Sequence, residues 1–113
     1  MSARLTSQLL VGALVRRAQI EGGGAMILHK GEPVSGAIVV QLLDRGVNLG
    51  LFERMADLSG KRALVPCGPA PTSPESEISH YIARRTAVDP DIWFVELDTA
   101  SGQQLAAEIL CAG

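Results

Sequence analysis

The residues of this chain best suited to hold a ligand are two pairs of arginines, Arg16-Arg17 and Arg84-Arg85, and the single tryptophan, Trp93. Adjacent guanidinium groups can clamp a phosphate or carboxylate with forked hydrogen bonds, and an indole can offer a flat apolar surface beside them. Each pair also falls near the end of a segment that reads as a helix. Cations there complement the helix dipole and pair with local acids such as Glu21 and Asp89. This structural account needs no ligand and is the simpler one; an anion or small-molecule site built from Arg16, Arg17, Arg84, Arg85 and Trp93 is the alternative.

The segment Asp89-Pro90-Asp91 sets two carboxylates near Trp93, the composition of an acid pair or a sugar platform. Turn chemistry accounts for the same residues, with Asp89 starting a turn, Pro90 fixing it and Trp93 filling the core. No base is placed beside them, so no catalytic residue is assigned. His29, His80, Cys67 and Cys111 supply metal-ligand types without paired spacing, so neither a metal nor a cofactor is expected. Cys67, between Pro66 and Gly68, has no neighbouring cation to activate it and reads as a small apolar filler. Gly22-Gly23-Gly24 precedes a strand, whereas a phosphate loop precedes a helix and carries Lys with Ser or Thr, so these glycines form a turn.

The elements that must position these groups follow from the periodicity. Arg4 to Glu21 has no proline and reads as a helix with apolar residues around most of its circumference. Such a helix needs cover on more than one side, from the sheet or from a second subunit. Four strands follow: 25–30, 35–43, 47–55 and 61–66. The joins at Gly31-Glu32-Pro33, Asp44-Arg45-Gly46 and Asp57-Leu58-Ser59-Gly60 are short enough for a hairpin and a four-stranded meander. Ser73-Pro74-Glu75 opens a second helix as N-cap, first-turn proline and first-turn acid, with Ile78, Tyr81 and Ile82 as its apolar face; Asp89-Pro90 ends it. The runs Ile38–Leu43 and Ile92–Val95 are apolar with almost no alternation, so strand two and a fifth strand over 91–97 are central and covered on both faces. The tail from Ser101 to Leu110 reads as a short helix in preference to a sixth strand.

The fold class is α+β with a mostly antiparallel five-stranded sheet, in the order α-β-β-β-β-α-β and then the tail, all in one domain over 1–113. Composition agrees: 113 residues, 47% hydrophobic and 19% charged, suffice for one core without staples. The net charge of −2 provides no basic field, and aromatic residues make up only 4%, so nucleic acid is not expected as a partner. The apolar run from Leu9 to Val15 is too short to span a bilayer and is followed by Arg16 and Arg17, so neither a signal peptide nor a membrane role is expected and the address is cytoplasmic.

Several stretches resemble a bacterial family of short proteins catalogued as domain of unknown function 1491. They are Arg4-Leu5, Leu14-Val15-Arg16-Arg17, Gly36-Ala37-Ile38-Val39-Val40, Leu51-Phe52-Glu53-Arg54 with Asp57-Leu58-Ser59-Gly60, and above all Tyr81-Ile82-Ala83-Arg84-Arg85 leading to Asp89-Pro90-Asp91-Ile92-Trp93-Phe94-Val95-Glu96. The resemblance implies a compact domain and carries no activity, cofactor or partner. The first helix is apolar around most of its circumference and the strands offer more apolar face than two helices cover, so the expectation is a non-catalytic protein-interaction module that forms a homodimer. The alternative is a small-molecule or anion-binding protein, with catalysis left open, using Arg84, Arg85 and Trp93.

Overall fold

The computed structural model describes residues 5–112, so Arg4, the expected start of the first helix, lies outside the described residues. Helix α1 spans Ser7–Ile20 and is capped by Thr6, whose hydroxyl accepts the Leu9 amide at 3.2 Å. Leu10, Val11, Leu14 and Ala18 form its buried stripe. It ends where Gly22, at φ 81°, lets its own amide return to the Gln19 carbonyl and the Gly23 amide return to Ala18.

The strands are β1 (Gly24–His29), β2 (Ile38–Asp44), β3 (Val47–Ala56), β4 (Arg62–Cys67) and β5 (Trp93–Asp98), and their order in the sheet is β1-β5-β2-β3-β4. Strands β2, β3 and β4 form the expected antiparallel meander. The expected hairpin between the first two strands does not form. Strand β5 lies between them, antiparallel to β1 and parallel to β2. Two physical facts explain this outcome. The apolar run of β5 needs both faces and both edges covered, which only a central position supplies. And Gly31-Glu32-Pro33 does not close on itself: the Glu32 amide donates to the Asp91 carbonyl at 2.9 Å, and the Trp93 indole N–H donates to the Glu32 carbonyl at 2.8 Å.

Alternation along the two central strands divides the core. Ile38, Val40 and Leu42 of β2 join Trp93, Val95 and Leu97 of β5 under α1. The tail is helix α3, Gly102–Leu110, and its Leu105, Ala106 and Leu110 complete this layer. The buried stripe of α1 is thus covered within the chain, by sheet and α3 together, while Leu9 and Ile20 stay exposed. The Arg54 side chain fastens α3 by donating to the Leu110 carbonyl at 2.7 Å, one of the orphan groups at that helix end.

On the opposite face, Val39, Leu51, Ile92 and Phe94 pack under helix α2, Glu75–Val88, which contributes Ile78, Tyr81 and Ile82. The helix begins one residue later than its sequence suggests. Pro74 holds an extended ψ of 150° and is itself the cap residue, and no side chain caps the helix; the Ser73 amide instead donates to the Ala70 carbonyl. Glu75 and Glu77 in the first turn supply the favourable charge at that end. No described helix is long and apolar enough to cross a membrane.

Candidate functional site

The fold separates Arg84 and Arg85 from the tryptophan. Trp93 is 1% exposed and lies on the α1 face of the sheet with its indole N–H committed to Glu32. Arg84 and Arg85 belong to α2 on the other face. Arg16 is exposed and folds back along its own helix, within 3.3 Å of where a Cβ at Gly12 would stand; it shares a shallow cleft with Lys30 and an edge of Trp93. Arg17 pairs with Glu108 at 3.5 Å and Glu21 at 3.9 Å across exposed surface. Arg84 is exposed and has no partner among the described residues. Of the five candidates, only Arg16 and Trp93 line one cavity, and the two arginine pairs do not converge.

Arg85 is held more firmly than its sequence neighbours suggest. Its Nη2 donates to Glu53 of β3 at 3.1 Å, and its Nη1 donates to the Tyr81 hydroxyl at 2.6 Å. Burial alone works against the guanidinium charge, but the Tyr81 hydroxyl and the Glu53 carboxylate outweigh it and raise its pKa further. Cys67 of β4 completes the row through Tyr81. Burial, ahead of every other influence, pushes the Cys67 thiol up, so it stays protonated and unreactive near neutral pH. Burial and the Cys67 contact likewise raise Tyr81. The row clamps α2 to β3 and β4. Both ends of the ion pair are less than a third exposed. Removing Glu53 (Glu53→Ala) is therefore expected to cost about 1–2 kcal/mol, between the exposed and buried extremes for such pairs. A double-mutant cycle with Arg85→Met, read by urea unfolding, checks this; additive losses would show that the pair contributes nothing.

A second constellation lies beside this clamp and involves residues that the apolar strand pattern hides. A groove of about 400 Å³ runs between α2 and the sheet, lined by Leu28, His29, Gln41, Ile78 and Glu96, with Glu75, Ser79, Ile82, Ala83 and Thr86 along α2. Its floor is set by register: Glu96 of β5 sits directly beside Gln41 of β2, with Met26 of β1 on its other side.

Backbone groups orient His29 and Asn48, and Asn48 in turn orients Gln41. His29 Nδ1 lies 2.7 Å from the Ile92 carbonyl, which can only accept. Nδ1 therefore carries the proton, and Nε2 is the lone-pair nitrogen of the neutral ring. Asn48 accepts the Gly50 amide at 3.2 Å through Oδ1 and donates to the Pro71 carbonyl at 3.1 Å through Nδ2, so its amide orientation is settled. Gln41, 9% exposed, must then present its NH₂ to Asn48 Oδ1, at 3.2 Å, leaving its own Oε1 over. Among the described residues no fully buried side-chain polar atom lacks a partner, so this oxygen reaches the groove surface. Glu96 is half-buried and makes no hydrogen bond or ion pair among the described residues. No described cluster of His, Cys, Asp and Glu has the geometry to hold a metal ion.

The sequence signal for this groove is a polar residue at the matching interior position of two apolar strands, Gln41 in IVVQLLD and Glu96 in WFVELD. Spacing alone does not reveal that the two stand side by side.

Comparison with known proteins gives a consistent result. The family described as "Protein of unknown function (DUF1491)" matches residues 5–107. A crystal structure of a DUF1491 family protein from Caulobacter crescentus CB15 is 30% identical, with a TM-score of 0.78 over 90% of this chain and 94% of that one. An NMR structure of a DUF1491 family protein from the same organism is 31% identical, with a TM-score of 0.75 over 92% and 94%. The solution structure of protein Atu0922 from A. tumefaciens is 28% identical, with a TM-score of 0.66 over 86% and 87%. No curated protein matches the chain.

Proposed function

The chain belongs to the DUF1491 family of proteins of unknown function, which brings no activity with it, and from the geometry we propose a protein-interaction module that pairs with a second copy through the free edge of β1. The observation that carries this reading is the contrast between the two edges of the sheet. Strand β4 is guarded by Arg62 and by Pro66, which removes a donor. Strand β1 contains neither a proline nor a charged residue before His29, and its outer backbone groups have no partner among the described residues.

The side chains of β1 point the same way. Met26, Ile27 and Leu28 are 57%, 45% and 37% exposed, and Leu9 of α1 adjoins Ile27. An exposed apolar strand edge of this kind is a template for another strand. The bulge between Ile27 and His29 limits the pairable run to its first four residues, Gly24 to Ile27. A second copy fits best because the same edge, turned through a twofold axis, presents an antiparallel strand with apolar side chains on both faces. A cytoplasmic address goes with this reading, supported by two free thiols.

Light scattering at tens of micromolar is expected to give twice the 11.9 kDa chain mass. Ile27→Lys is expected to return the monomer without loss of thermal stability, whereas Val65→Lys on β4 leaves the dimer intact. A monomer in the unaltered protein, or a dimer indifferent to Ile27→Lys, would overturn the proposal.

A further inference from the structure

We propose that the groove between α2 and the sheet binds the cationic head of an alkyl ammonium or guanidinium ligand, with Glu96 as its charge partner and the Gln41 Oε1 and His29 Nε2 as further acceptors. This inference is independent of self-association.

The first observation is the carboxylate itself. Glu96 lies on β5, an interior strand of the sheet, on the face where Phe94 of β5 and Val39 of β2 are fully buried. Partial removal of a carboxylate from water is costly unless a partner compensates, and none is present among the described residues. A residue that breaks the local rule without a structural gain marks a functional position.

The second observation is the chemistry around it. Gln41 is nine-tenths buried and gives one N–H of its NH₂ to Asn48 Oδ1, which turns its Oε1 toward the groove as an acceptor. His29 spends its Nδ1 proton on the Ile92 carbonyl and likewise offers an acceptor in the neutral ring. Glu75 adds a second carboxylate at the α2 side, and Thr86 turns its hydroxyl to the Ala83 carbonyl. No Lys or Arg lines the groove. Apart from the Ser79 hydroxyl and the second N–H of Gln41 the lining is rich in acceptors, and with two carboxylates and no cation it repels an anion and favours a group that has only donors, such as ammonium or guanidinium.

Leu28, Ile78 and Ile82 supply an aliphatic wall for the stem of such a ligand. The volume of about 400 Å³ suits a short diamine or one long basic side chain. The same chemistry comes from a free amine or from a lysine or arginine of another protein, and the test separates these sources.

Titration of the full chain with agmatine and with putrescine, followed by amide NMR, is expected to shift Leu28, Gln41, Ile78 and Glu96 saturably, with Kd on the order of millimolar. Glu96→Gln is expected to weaken binding by about tenfold or more, since a charged hydrogen bond is lost, and Glu77→Gln, outside the groove, to leave it unchanged. Ala83→Phe, at an exposed α2 position, plugs the groove without touching the core and is expected to abolish binding even if the Glu96 variant folds poorly. A peptide with a single lysine or arginine that binds more tightly than either amine assigns the source to a protein partner; the reverse order assigns it to a small molecule. Absence of saturable shifts with any of these probes, or equal binding by Glu96→Gln and Ala83→Phe, would overturn the inference.

Discussion

Trp93→Ala is expected to destabilise the protein by about 3–5 kcal/mol, a large share of the total stability of a domain this size. Trp93 is the largest fully buried side chain, and it belongs to the core layer under α1 and α3. Its loss would remove more than apolar contact. The indole N–H holds the Glu32 carbonyl at 2.8 Å, and the loop around Glu32 in turn receives α1: the Ser7 and Gln8 amides donate to Val34 and Pro33, and the Ser7 hydroxyl donates to the buried Gly36 carbonyl. Glu32 also folds its carboxylate onto the Ser35 and Val34 amides, which hold it below the usual carboxylate range. Trp93→Phe separates the two contributions. It keeps most of the ring and should cost about 1–3 kcal/mol, since it strands a carbonyl and leaves a small void. Urea unfolding measures both. Equal midpoints for Trp93→Phe and the unaltered chain would show that the indole N–H does not matter.

Gly31→Ala should be nearly as damaging, at about 3 kcal/mol. A Cβ at Gly31 would stand 2.1 Å from the Asp91 carbonyl oxygen, 2.7 Å from the Ile92 carbonyl carbon and 2.7 Å from the Trp93 ring. None of these is the loose end of a flexible chain, so the backbone itself must move. A Cβ at Gly36 would stand 2.2 Å from the same Asp91 oxygen, so the two glycines flank one carbonyl from two positions. Because Gly31 and Trp93 touch, losses in a double variant should fall well short of their sum. Strict additivity in the unfolding free energies would count against a shared knot.

The sequence discloses burial better than neighbourhood. The apolar runs at Ile38–Leu43 and Ile92–Val95 identify two strands covered on both faces, because a strand with no alternation has no wet side. Nothing local to Gly31-Glu32-Pro33 shows that its amide is claimed by Asp91, so turn residues that suggest a hairpin serve a loop around another strand. The arginines show the same limit. The Arg17–Glu21 pair follows from helical spacing, whereas Arg85 passes over nearby Asp89 for Glu53, brought in from a different strand. The carbonyl that selects the His29 tautomer likewise comes from far along the chain. Gln41 and Glu96 become a pair only through the parallel register of β2 and β5, which no periodicity encodes.

The position of β5 also sets the order in which the protein can be completed. It is the last strand to be made and the second in the sheet, so β1 has no neighbour until residues 93–98 have left the ribosome. The β2-β3-β4 meander, built from adjacent segments, can close earlier, while the nascent chain carries an apolar, unpaired β1 throughout its synthesis. Sheets joined by distant segments fold slowly and expose such edges for longer. The strand that gives the finished protein its open edge is therefore also its greatest hazard for misassembly during translation.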